Sequence, residues 1–471
     1  MAIRKNDSLN RRSALVLSAT ALLGGLYPLV GRTDDGDDDD RGSSSSRSGS
    51  SGQQIALATT GIRANVVVVG GGMAGAAAAK YLRLWGGAGL NVTLVEPDDA
   101  YTSNIMSNFV LTGVRGVSTL RYNWDQLATA YGVVRKKARL QSISVANRQI
   151  TLSDGSVLPY DRLVVAPGVD FDNAYGLTAQ DYDTRTPHAW RAGLQTTLLQ
   201  QQLAAAVNGD TYVMTIPAAP YRCPPGPYER ACLVADYLKT RKGPNCRVLI
   251  LDENPKIQAE AVNFGRAFGV IHAGVVNYQS GVTGIAIDPV TKVVSYTDKS
   301  GVAQTVQARV VNPIPPHRAS GSGAGGWMSA AGLNNSADGR WAKVSPLSYE
   351  STAVAGVHVI GDAAQCGLPK AGHVGNQEAK ICADAIVRLL LGQSPDSAPV
   401  ANSACYSPIT ATTASWLTAV YQYDPATQSM KVAANGGLTA GAAPTEAAAI
   451  TSGNFRQMGT WFNTLMGDTY A

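Results

Sequence analysis

Charge is scarce in this chain. Charged residues make up 15% of the 471, well below the roughly 25% of an average globular protein. A disordered chain needs high charge and low hydrophobicity, and with 45% hydrophobic residues this sequence has neither. The net charge of +5 is small and scattered, which argues against nucleic acid as a partner. Long apolar runs are equally scarce. Only the stretch from Ala14 to about Val30 approaches a membrane span in length, and this excludes a multi-span membrane protein. Six cysteines are too few for a disulfide scaffold and leave room for one or two pairs. No cysteine pair stands with histidine at metal-ligand spacing, so no metal site is expected. No C-x-x-C-H occurs, so any haem belongs to another chain. The length itself suggests about three domains.

The first sixty residues differ from the rest. Adjacent Arg11 and Arg12 precede the mild apolar stretch, which reads as a twin-arginine export signal over residues 1–30. Leu15 follows the pair three places on, where a bulky apolar residue is usual two places on. The expected destination is the periplasm, an oxidising compartment where disulfides persist. The next segment, DDGDDDDRGSSSSRSGSSGQQ, has nothing to bury and reads as a solvated linker over residues 31–61.

Ile62–Val69, IRANVVVV, suits a buried parallel strand. Gly70, Gly72 and Gly75 then meet the pattern G-x-G-x-x-G, and an Ala-rich helix and a second strand ending at Glu96 follow. The chemistry fits a dinucleotide. The first glycine makes a tight turn, the second lets the backbone approach pyrophosphate, and the third lets helix and strand pack. The pyrophosphate sits on the helix N-terminus, and the acid takes the ribose hydroxyls. Two further segments, YDRLVVAPG (160–168) and VHVIGDA (357–363), are like those of flavoproteins with two dinucleotide-binding domains. By that likeness the dinucleotide is FAD, and Asp362 bonds its ribityl chain. Asp362 also suits the cap of the next helix, and the two roles are compatible.

A second unit of the same kind starts with the strand TYVMTIP (211–217), but its glycine turn is missing. The loop AAPYRCPPGPYERA carries four prolines and a single glycine, Gly226. Proline removes the N–H donors a phosphate would need, so NAD is not expected to bind.

These segments identify the family that the chain resembles. APYRCPPGPYERA (219–231), PHAW (187–190), NPIPPHR (312–318), GDA with PKAG (369–372) and ACYS (404–407) are similar to the flavoprotein subunit of flavocytochrome c sulfide dehydrogenase. The resemblance implies a redox-active disulfide that accepts sulfide beside FAD, and a c-type cytochrome subunit that receives the electrons. Cys223 and Cys405 match the two cysteines of that disulfide. Glu229 matches a glutamate placed for proton transfer, and also suits the first turn of a helix. Trp461 matches a tryptophan thought to lie between flavin and haem. The sequence departs from the family at two places. Ser103 stands where the best-known members carry a cysteine linked to FAD, so FAD is expected to be held without a covalent bond. His373 stands in place of a tyrosine near the flavin, as proton relay or as filler.

The expected architecture is α/β, with two Rossmann-like dinucleotide-binding domains and a small C-terminal α+β domain. The FAD domain is discontinuous, 62–176 and 312–398. Residues 177–311 form the second unit, and 399–471 bring Cys405 to the flavin. Sulfide oxidation with a quinone as acceptor is the alternative chemistry, and would favour an amphipathic C-terminal helix for membrane contact. A flavoprotein kept as a binding or assembly subunit is the non-enzymatic alternative.

Overall fold

The structure, a computed structural model, describes residues 55–471. The expected export signal and most of the expected linker, residues 31–54, lie outside the described residues.

The chain enters with β1 (Ala64–Val69), α1 (Met73–Gly86) and β2 (Leu90–Val95), followed by β3 (Val134–Lys136) and β4 (Arg162–Val165). Val66, Val67 and Val68 of β1 are almost fully buried, as a central parallel strand covered on both faces requires. Ala76 to Ala79 of α1 are wholly buried, because small side chains let this helix lie close to its neighbours. The second unit contributes β5 (Thr211–Ile216), α2 (Gly226–Arg241), β6 (Arg247–Asp252), β7 (Val276–Ser280) and β8 (Val310–Pro313). The chain then returns with β9 (Val357–Val359) and α3 (Gly372–Leu390). It closes with β10 (Val400–Pro408), β11 (Ala414–Asp424), β12 (Ser429–Ala434) and α4 (Ser452–Tyr470).

The first sheet has the order β9-β4-β1-β2-β3, every pair parallel. Its β9 comes from the far side of the second unit, so the first domain is discontinuous. The second sheet, β7-β6-β5-β8, is also all parallel. Strand β8 runs to Pro313, so the second unit extends two residues past the expected junction. The C-terminal strands β10, β11 and β12 pair antiparallel. This is the α/β architecture anticipated above, with its third, mixed layer at the C-terminus.

Helix α4 buries Met458, Trp461, Phe462, Leu465, Met466, Thr469 and Tyr470, a stripe at three- and four-residue spacing. The last turn is fastened to the first domain. Tyr470 donates to the Gly71 carbonyl at 3.2 Å, and Lys380 of α3 pairs with Asp468 at 2.9 Å. The apolar face of α4 is therefore spent inside the protein. Among the described residues no helix is long and apolar enough to cross a membrane.

Candidate active site

One cavity of about 540 Å³ runs from the glycine loop between β1 and α1 to the N-terminus of α2. Gly70, Gly72, Glu96, Asp362, His373, Cys223, Glu229, Cys405 and Trp461 all line it. At Gly75 a methyl group would sit 1.8 Å from the Gly70 carbonyl oxygen, so only glycine allows this turn to close. At Gly72 the same methyl would meet nothing nearer than Tyr101, at 3.8 Å, so this residue leaves the floor open for a ligand. The first N–H groups of α1 have no partner within the helix and carry its positive end. Glu96 turns one oxygen to the Gly71 N–H at 2.7 Å and the other to the Asp98 N–H at 3.0 Å. Burial raises its pKa, against the pull of those two bonds.

The opposite end holds the sulfur chemistry. Cys223 sits in the loop between β5 and α2 with φ +58°, a left-handed conformation rare for a residue with a side chain. Two bonds hold it there: its N–H donates to the Lys370 carbonyl at 2.7 Å, and its carbonyl accepts from Gly226 at 2.9 Å. A methyl on Gly226 would lie 2.9 Å from the Cys223 sulfur, so a glycine opens α2. Cys405 arrives on β10, close enough for the charge on Cys223 to raise its pKa. Both are free thiols in this structure. Burial pushes Cys223 up to about 12 and holds Cys405 well above the ordinary thiol range.

Glu229 lies one turn into α2. Burial pushes its carboxyl up to about 8, although Asn108 donates to it at 2.8 Å. Asn108 is oriented in turn by Arg230, whose Nε donates to its Oδ1 at 2.8 Å. The Arg230 guanidinium, 2% exposed, also donates to the carbonyls of His188 and Ala189 and to Asn312 Oδ1. The PHAW and NPIPPHR segments thus wrap one buried cation. Neither Asn108 nor Arg230 was singled out from the sequence. The only available signal was an arginine beside the acid in PYER.

Asp362 follows β9 and faces Arg222 at 3.9 Å; burial raises its carboxyl. His373 Nδ1 accepts the Ala404 N–H at 3.0 Å. That bond requires a lone pair on Nδ1, so the ring is neutral and carries its proton on Nε2. Burial agrees, pulling His373 down to about 4. Trp461 stacks edge-on against His373 with ring centres 6.1 Å apart. Ser103 lies beside the cavity, whose lining includes its neighbours Thr102 and Asn104. Ser103 is fully buried, and its hydroxyl donates to the Ile105 carbonyl at 3.1 Å.

These residues fit a bound FAD. The floor at Gly72 is open beside a helix N-terminus. In the wall, Arg222 Nη2 and Trp461 Nε1 are buried donors with no partner among the described residues, as a polar ligand would satisfy. Gly70, Gly72, Glu96 and Asp362 would hold the cofactor along one side, with the two thiols at its far end.

Fold and site together define an FAD-dependent oxidoreductase of the pyridine nucleotide-disulfide type. Residues 64–203 match the pyridine nucleotide-disulphide oxidoreductase family. Residues 196–315 match the central part of the sulfide dehydrogenase [flavocytochrome c] flavoprotein chain, and residues 397–470 its flavin-binding part. All three matches correspond to the flavocytochrome c sulfide dehydrogenase flavoprotein subunit. The fold is similar to that of the sulfide:quinone oxidoreductase of the hyperthermophilic bacterium Aquifex aeolicus. The TM-score is 0.68 at 17% identity, over 86% of this chain and 91% of that one. It is also similar to putidaredoxin reductase in its covalent complex with putidaredoxin (TM-score 0.56, 19% identity, 76% and 82% covered). A third likeness is to an NAD-dependent persulfide reductase from A. fulgidus (0.56, 15%, 75% and 64%).

Proposed function

We propose that this FAD oxidoreductase oxidises sulfide through a redox pair formed by Cys223 and Cys405, and that the electrons leave to a c-type cytochrome chain. The observation that carries this reading is the meeting of two cysteines, far apart in the sequence, in one cavity with the glycine loop and a carboxyl held near neutrality. In the oxidised enzyme the two sulfurs are joined. HS⁻ attacks Cys405 Sγ. A new S–S bond forms, the Cys405–Cys223 bond breaks, and Cys223 leaves as thiolate. Burial makes that thiolate costly, so protonated Glu229, one turn along α2, gives its proton to Cys223. His373 offers Nε2–H as a donor and, being neutral, adds no charge. When bound, FAD supplies acceptance of an electron pair and its release one electron at a time.

The buried stripe of α4 favours a cytochrome over a membrane quinone as acceptor, because that face is already covered. The intact thiol pair disfavours a binding or assembly role. The Arg11-Arg12 signal supports a periplasmic location, which cell fractionation would test by finding the flavin in the periplasmic extract. The test of function is anaerobic addition of sulfide to the purified flavoprotein, followed by oxidised cytochrome c. Flavin bleaching followed by stoichiometric haem reduction supports the reading; flavin that stays yellow overturns it.

A further inference from the structure

Behind the wall that carries Cys405 lies a second buried carboxyl. Glu260 is 2% exposed and has φ +51°, at the start of the helix Ala261–Arg266. A residue with a side chain persists in the left-handed region only where its surroundings hold it. Those surroundings are hydroxyls. Ser407 Oγ donates to Glu260 Oε2. Ser407 follows Cys405 by two residues on β10, so the two side chains share a strand face. Ser415, the register partner of Ser407 on β11, is fully buried and acts on the same carboxyl. One Glu260 oxygen is held by Ser407, while Oε1 has no donor within hydrogen-bond geometry among the described residues and is placed to take a proton.

Several acids stand around this spot, with the cations Arg230, beside Glu229, and Lys239, near Cys232, also on α2. Glu229 and Cys232 act from α2, Cys405 from β10, and Glu446 from the short strand Thr445–Glu446. Glu446 is half-buried and accepts the N–H of Asn263, in the helix that Glu260 opens, at 3.0 Å. Glu260 thus stands within electrostatic reach of Glu229, which lines the cavity, and of half-buried Glu446.

The sulfide reading, on which this inference rests, needs such a route. Oxidising HS⁻ to zero-valent sulfur releases one proton and two electrons. The electrons pass on to the cytochrome haem, which takes no proton. We propose that Glu260 is the relay residue by which this proton leaves: as the Cys223–Cys405 bond re-forms, the Cys223 thiol proton returns to Glu229 and the persulfide proton leaves by way of Glu260 Oε1 toward Glu446 and solvent. Burial holds Glu260 up at about 7 and Glu229 at about 8, so neither carboxyl takes up its proton against a large climb.

Glu260→Gln tests the relay, because it keeps the size and an acceptor for Ser407. The expected result is a KM for sulfide within about twofold of wild type and a kcat at least about tenfold lower. The slowing in D2O should increase. In the wild type kcat rises with pH through about 7, since only ionised Glu260 takes up a proton. That limb should vanish in Glu260→Gln and reappear at lower pH in Glu260→Asp. An unchanged kcat with the limb intact overturns the relay while leaving sulfide oxidation standing. Wild-type flavin that fails to bleach with sulfide overturns both. Infrared difference spectra of wild type on sulfide addition need no variant and so hold even if Glu260→Gln does not fold. Changes at two protonated carboxyls support the relay, and a change at one or none overturns it.

Discussion

Glu229 shows how burial sets chemistry at the scale of one side chain. Its carboxyl would be ionised in water, yet with a single donor, Asn108, it holds its proton up to about 8. Burial does the same to Glu378, raised to about 8, and to Glu260. At these three carboxyls the folded state binds more protons than the unfolded chain up to about pH 8, while His188, His317, His358 and His373, pulled down to about 3 or 4 by burial, act the other way only below the ordinary imidazole range. Stability should therefore fall as pH rises from above that range through about 8. Urea melts at either end of that window check this, and Glu229→Gln should narrow the difference between them. The same variant should slow sulfide turnover about a hundredfold, as loss of a general acid does. Ser103 marks where sequence reading stopped at this scale. Its identity ruled out a thioether, but its direction was set by a local bond to Ile105 that no pattern announces. The thiols that do line the cavity are Cys223 and Cys405. Acid precipitation should release the yellow flavin into the supernatant; colour retained in the pellet would show a covalent link.

At the scale of elements, the two loops that follow β1 and β5 start alike and end differently. The β1 loop was legible because Gly70 and Gly75 answer a backbone requirement, and such requirements show directly in residue type. The β5 loop was legible as lacking that turn, but the strained seat of Cys223 depends on the Lys370 carbonyl, a contact that only the fold supplies. The seat of α4 was not legible either. Its stripe reads as an ordinary amphipathic helix, and Asp468 as a polar end. In the structure Asp468 meets Lys380, which is 1% exposed, and receives Tyr81 Oη and Asn376 Nδ2. Asp468→Ala should leave that ammonium buried without its partner and destabilise the protein by about 3 kcal/mol, measured by urea melts. Because Tyr470 packs on the glycine loop, the variant should also lose FAD faster on dilution.

At the scale of the whole molecule, two parallel sheets and a C-terminal layer meet around one cavity. The sequence showed the two units, because βαβ periodicity survives in each. It could not pair Cys223 with Cys405 without the family resemblance, since only topology brings β10 to the start of α2. The role of Arg230 was hidden for the same reason: its partners come from three distant segments. The proline-rich loop predicts that micromolar NADH leaves the flavin oxidised, which a spectrum before and after addition would check; rapid bleaching would contradict it. The account stands most directly on the thiol pair. Anaerobic sulfide titration of wild type and Cys405→Ser, each followed by flavin absorbance, tests it. The account predicts that wild type bleaches while Cys405→Ser stays yellow with FAD still bound, because Gly70, Gly72, Gly75, Glu96 and Asp362 are untouched. Bleaching of Cys405→Ser at the wild-type rate would contradict it.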